Sequence, residues 1–169
     1  MRTSLIFALL IGMLFTDDDL KMNELRDLYE RAPVSETANL KLNKFLETKQ
    51  SNNALINGYK GAGTMILANH VFNPITKLSK FNKGKKLIER AIKDEPNNIE
   101  LRYIRFTIQT NLPGFLGYKG NIKSDKVFLI NGLSGLADTD LRDRIVDYLI
   151  KPGVCTVDEL KKVSLWKNK

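Results

Sequence analysis

The stretch Phe81-Asn82-Lys83-Gly84-Lys85-Lys86-Leu87-Ile88-Glu89-Arg90-Ala91-Ile92-Lys93, closed by Pro96-Asn97-Asn98 and followed by a second apolar pattern over residues 99–112, decides the fold. Gly84, Leu87, Ile88 and Ala91 recur at the 3.6-residue spacing that places them on one helical face, while Lys83, Lys86, Arg90 and Lys93 fall on the opposite one. Pro96-Asn97-Asn98 turns the chain into another helix, in which Leu101, Ile104, Ile108 and Leu112 form the apolar face. The unit is therefore a pair of helices joined by a tight turn.

The same period extends outward in both directions. Residues 20–31 read as a first helix with Leu25, Leu28, Tyr29 and Ala32 on one side, stopped at Pro33. Ser35 offers a capping oxygen to a second helix whose stripe is Ala38, Leu42, Phe45 and Leu46. Ser51-Asn52-Asn53 closes it. Residues 54–72 read as a third helix, apolar almost all round, with Gly58, Gly61, Ala62, Gly63 and Ala68. Small residues let backbones approach closely, so this is expected to be the central helix. Asn73-Pro74 is expected to stop it, because proline disfavours helical geometry in the residue before it. The fourth helix is expected over residues 81–93 and the fifth over 99–110. After a loop at 113–120 the pattern predicts helices at 122–136 and 138–150. Thr156 and Glu159 have capping-box spacing for a short final helix ending near Trp166.

Gly84, Ile88, Ala91 and Pro96 occupy the small, large-apolar, small and proline positions of the second helix and exit turn of the tetratricopeptide repeat (TPR), which the segment 81–112 resembles. The likeness covers one repeat closely and the rest of the chain loosely. The turns Ser51-Asn52-Asn53 and Pro96-Asn97-Asn98 recur at an interval long for that repeat and suited to a degenerate helical array. Ala68-Asn69-His70-Val71-Phe72-Asn73-Pro74, with residues 101–106 and 112–118, also resembles a group of small exported bacterial proteins without an assigned activity. The expected fold is all-α: antiparallel helix pairs stacked as a short TPR-like right-handed array of about seven helices, one domain over residues 20–166. Such arrays present surfaces, so the resemblance implies a scaffold rather than an enzyme.

Composition sets further bounds. With 169 residues, 43% hydrophobic and 27% charged, the chain suits one globular core that buries roughly two-thirds of its unfolded surface. Twenty-seven Lys and Arg against 19 Asp and Glu give a net charge of +8, which favours acidic partners without choosing among nucleic acid, anionic lipid and protein. Cys155 is the only cysteine and His70 the only histidine, which excludes an intrachain disulfide and the usual Cys/His zinc site. Residues 1–16 open with Arg2 and an unbroken apolar run at 5–15, and read as a signal peptide or N-terminal hydrophobic segment. That run is shorter than the roughly 20 residues of a membrane-crossing helix. The expectation is an exported, periplasmic or cell-envelope protein with no membrane span in its mature form.

Several constellations qualify as sites. Arg102, Arg105 and Gln109 form a polar stripe in which Arg105 falls within the apolar face of the fifth helix. A guanidinium there requires a partner. Either a carboxylate such as Asp125 or Glu89 locks it to a neighbouring helix, or Arg102 and Arg105 line a groove and grip a carboxylate or phosphate. His70, near Tyr59 and Gly63 on the helical wheel, is read as a general base or as a hydrogen-bonded brace of the Asn73-Pro74 turn. Phe115 and Tyr118 in the glycine-rich loop either plug the core or wall a pocket beside the arginines. Lys83, Lys86, Arg90 and Lys93 form a secondary basic patch in a run where Glu89 is the only acid. It reads as a solvated face or as a surface for phosphates and anionic headgroups. Apart from Phe81 it lacks interleaved aromatics, so nucleic acid is disfavoured.

No cofactor is expected, because Gly61-Ala62-Gly63 and Gly84-Lys85-Lys86 both lack the remaining positions of their nucleotide-binding fingerprints. The functional expectation is a non-catalytic protein-interaction or assembly module working through the groove between the third and fifth helices. The alternative is a binding module whose Arg102 and Arg105 hold an anionic small molecule or lipid headgroup.

Overall fold

In the computed structural model, residues 17–49 and 52–167 are described. They form α1 (Asp17–Arg31), α2 (Glu36–Glu47), α3 (Ala54–Ile66), α4 (Pro74–Asp94), α5 (Ile99–Asn111), α6 (Ile122–Gly132), α7 (Thr139–Leu149) and α8 (Val157–Ser164), with short 3-10 turns at Leu67–His70, Gly114–Leu116 and Leu133–Gly135. The protein is all-α, without a strand among the described residues, and its eight helices stand against the seven or so expected. The signal peptide or hydrophobic segment expected at 1–16 lies outside the described residues.

Local chemistry explains the boundaries. Ser35, Asn53, Asn98, Asp138 and Thr156 each turn a side-chain oxygen onto an exposed N–H of the helix that follows. Thr156 and Glu159 complete the capping box. Three boundaries differ clearly from expectation, two of them near Asn73-Pro74. α3 stops at Ile66 and tightens into a 3-10 turn, after which Val71 is extended. α4 starts at Pro74 rather than Phe81, with Asn73 Oδ1 accepting from Ile75 N at 2.9 Å and Thr76 N at 3.1 Å. Proline opposes helix before itself but suits the first helical position, so one dipeptide ends one element and begins the next. The sixth helix likewise ends at Gly132 instead of Leu136, where a 3-10 turn takes over.

Sequential helices pack as pairs, α1 with α2, α3 with α4, α5 with α6 and α7 with α8. The α3/α4 seam is the tightest. A Cβ on Gly61 would lie 2.8 Å from the Gly84 carbonyl oxygen, so two glycines set how closely these helices approach. The odd-numbered helices also meet one another, α1 with α3, α3 with α5 and α5 with α7. Leu101, Ile104 and Ile108 of α5 join the apolar cluster of the first four helices, while Tyr103 and Phe106 join that of the last three. One helix, apolar on two sides, therefore joins both halves of the core.

Candidate functional site

Glu100 at the start of α5 and Asp138 and Asp140 at the start of α7 converge on Arg26 of α1. Its Nε donates to Glu100 Oε1 at 2.8 Å, Nη2 to Glu100 Oε2 at 2.8 Å and Asp138 Oδ2 at 2.7 Å, and Nη1 to Asp140 Oδ2 at 2.9 Å. The Tyr59 hydroxyl adds a bond to Glu100 Oε1 at 2.5 Å. Burial works against the Arg26 charge, but the bonds from Glu100 and Asp138 outweigh it and raise its pKa. This network ties α1, α3, α5 and α7 to one another.

At their other ends the same helices open. Tyr29 and Glu30 of α1, Met65 and Ile66 of α3, Tyr103, Thr107, Ile108 and Asn111 of α5, and Arg144, Asp147 and Tyr148 of α7 line a cavity of about 680 Å³, with Pro33, Val34 and Leu112 at its edge. Its polar atoms brace one another. The Tyr29 hydroxyl lies 2.6 Å from Thr107 Oγ1, and Asn111 Nδ2 donates to the Tyr148 hydroxyl at 2.7 Å. Tyr103 and Tyr148 meet edge to face at 6.0 Å. Burial pushes the pKa values of Tyr29 and Tyr103 upward, so both stay neutral phenols.

Charge at the lip is uneven. Arg144 is held by Asp27, Glu30 and Asp140, and Lys151 lies 4.5 Å above the centre of the Tyr148 ring. Asp147 is exposed. α5 ends without a backbone cap bond because Leu112 is extended (φ −81°, ψ 147°). The C-terminal, negative end of the α5 dipole lies at this opening.

Arg102, Arg105 and Gln109 lie on the far side of α5 from this cavity. Arg105 is buried; Nε donates to Asp125 Oδ2 at 2.7 Å, Nη2 to Asp125 Oδ1 at 2.8 Å and Nη1 to Glu89 Oε2 at 2.8 Å. Burial lowers the pKa of Arg105, and the Asp125 hydrogen bonds raise it by more. Arg102 donates to the same Asp125 at 3.1 Å and to the Pro96 carbonyl. Its guanidinium also lies 5.2 Å from the Phe128 ring centre. Gln109, fully buried, exchanges hydrogen bonds with Asn121 and so ties the loop to α5.

The remaining residues scatter. His70 is half-buried, with Nε2 2.9 Å from the Ala32 carbonyl, which links the turn after α3 to the end of α1. Tyr59 belongs to the Arg26 network. Tyr118 is buried, donates to Glu89 Oε1 at 2.6 Å and packs edge to face on Phe81, whereas Phe115 is 87% exposed. The loop thus plugs the core with one aromatic and shows the other to solvent. Lys83, Lys86, Arg90 and Lys93 are all exposed, and Arg90 pairs with Asp94.

The expected groove lay between the third and fifth helices, whereas this cavity is shared by α1, α3, α5 and α7, and none of Arg102, Arg105, Gln109, His70, Tyr59, Phe115 and Tyr118 lines it; Tyr29, Tyr103, Asn111, Asp147 and Tyr148, which do, were not among the expected residues. For Tyr103 and Asn111 the signal in the sequence is a second stripe on α5, Tyr103-Thr107-Asn111, at i, i+4 and i+8 spacing. Chemically the cavity offers tyrosine rings, aliphatic side chains and carboxylates. Cys155 lies elsewhere, its thiol pKa raised by burial and by Glu159. Among the described residues no group of three or more His, Cys, Asp or Glu side chains is placed to hold a metal ion, and no helix is long and apolar enough to cross a membrane. No protein-family model, curated protein or solved structure matches the chain.

Proposed function

We propose that the protein is a non-catalytic interaction module of TPR-like build, which holds an apolar peptide segment of a partner protein in the tyrosine-lined groove between α1, α3, α5 and α7. The observation that carries this reading is the alternation of roles along the chain. Every odd-numbered helix contributes to one open cavity, no even-numbered helix lines it, and each even-numbered helix packs against an odd-numbered one. Stacked helical arrays bind through concave surfaces of this kind. The uncapped end of α5 and the exposed Asp147 favour a segment that also carries a basic residue.

The alternative, an anionic small molecule or headgroup held by Arg102 and Arg105, would require the ligand to displace a fully buried Asp125. Removing one partner of a buried ion pair is costly, which weighs against exchange at that site. Export remains part of the proposal, supported by the apolar run at 5–15, and the N-terminal residue of the native protein tests it.

Peptides selected from a random displayed library provide the functional test. Selected sequences are expected to combine aliphatic or aromatic residues with a basic one. Their affinity is expected to fall at least about tenfold on Val34→Asp or Asp147→Lys, two exposed positions at the groove, and to hold on Val157→Asp. Selected peptides that bind all three variants like the parent would refute the groove.

A further inference from the structure

Phe72, Ile75 and Leu78 stand 98%, 80% and 54% exposed at the head of α4. Apolar side chains exposed singly are ordinary, but three so close together at one end of a helix make a patch. Helical geometry continues that patch into a line of charge. Ile75, Asn82, Lys86 and Lys93 fall nearly along one edge of α4, with Leu78 on one flank and Lys83 and Arg90 on the other. All of these residues are exposed, and the line runs for about 27 Å at 1.5 Å per residue.

The charge along this face is not cancelled. Glu89, the sole acid between Lys77 and Lys93, accepts from the Tyr118 hydroxyl at Oε1 and from Arg105 at Oε2. Asp94 engages Arg90. Among the described residues Lys83, Lys86 and Lys93 pair with no carboxylate. Between the apolar head and the rest of the stripe, Ser79, Asn82, Lys83, Lys86 and Leu87 line a shallow depression of about 460 Å³. It offers hydroxyl, amide and ammonium donors together.

We propose that this outer face of α4 docks on an anionic lipid bilayer, with Phe72, Ile75 and Leu78 entering the interface and Lys83, Lys86 and Lys93 lying along the phosphates. A duplex nucleic acid would satisfy the lysines but leave Ile75 and Leu78 in water, whereas a bilayer interface satisfies both. The glycines at the α3/α4 seam bring the inner side of α4 close against α3, and the outer side faces solvent. No residue lining the peptide groove belongs to α4, so the two surfaces are separate.

Co-sedimentation with vesicles tests the proposal. The protein is expected to partition onto vesicles of equal parts phosphatidylcholine and phosphatidylglycerol and not onto phosphatidylcholine alone. Lys86→Glu with Lys93→Glu is expected to reduce partitioning at least about tenfold, since each basic residue near the surface contributes severalfold. Phe72→Ser with Ile75→Ser, which leaves charge unchanged, is expected to reduce it as well, and most visibly in high salt, where the lysines are screened. A Phe72→Trp variant is expected to show blue-shifted emission on the mixed vesicles. All these positions are exposed, and circular dichroism is expected to be unchanged in each variant. Failure to partition, partitioning that survives Phe72→Ser with Ile75→Ser at every salt concentration, or binding to duplex DNA in preference to vesicles would each overturn the proposal.

Discussion

Arg26 and Arg105 lie at seams between helices, and each is held by carboxylates from two or more elements. Their charges are balanced inside the molecule, so their removal acts on stability. Arg26→Ala leaves Glu100 facing Tyr59 without its cation, and is expected to cost about 3–5 kcal/mol in urea unfolding. A cost below about 1 kcal/mol would show that solvent replaces the guanidinium. Asp140 carries the acid sensitivity of the same network. Burial raises its pKa, but hydrogen bonds from Arg144 and Arg26 lower it by more, so the net shift is downward. The folded state therefore binds its proton less readily than the unfolded chain. Its contribution is present at neutral pH and lost as pH falls below about 4. The urea midpoint is expected to drop over that acid range, and Asp140→Asn to flatten part of the drop; an unchanged acid slope in the variant would assign the effect to other carboxylates. Arg105 with Asp125 and Glu89 was legible from sequence, because a cation in the middle of an apolar stripe demands a partner nearby. Arg26 was not, since its partners lie far along the chain, at Glu100, Asp138 and Asp140, and only the packing of α1 against α5 and α7 joins them.

At the scale of elements, α3 and α4 depend on the absence of side chains where they cross. Gly61→Ala would set a methyl 2.8 Å from both the Gly84 carbonyl oxygen and Ile88 Cγ1. Overpacking of this kind is expected to cost about 1–3 kcal/mol, more than the gain of up to about 1 kcal/mol from replacing a helical glycine with alanine. Gly135→Ala provides the contrast, because nothing lies within 4 Å of its added methyl. Chemical unfolding is expected to show a loss for the first and a change within about 0.5 kcal/mol for the second. A stable Gly61→Ala protein would mean the seam can slide. Helix identity was readable wherever apolar spacing ran for three turns and a capping residue stood ahead of it. The start of α4 was not readable, because residues 74–80 put Ile75 and Leu78 toward solvent and so lack the inward stripe by which the rest of the helix is recognised.

For the molecule as a whole, the groove arises from four helices separated by long stretches of chain, which is why its tyrosines carry no local motif. The small residues of the third helix marked it as central, but the cavity also draws on α1 and α7, which no pattern in the sequence joined to it. The sequence drew attention to the arginine side of α5, where the guanidiniums brace α6 and α4, and away from the tyrosine side. In the proposed division of labour, charged clusters hold the helices together and the cavity between the odd-numbered helices receives a partner. Amide hydrogen exchange with and without a selected peptide separates these roles most directly. Exchange is expected to slow in residues 29–34, 107–113 and 144–151 and to stay unchanged in 122–130, the helix that faces Arg102 and Arg105. Slowing confined to 122–130 and the Arg102 turn, with the groove segments unaffected, would contradict it.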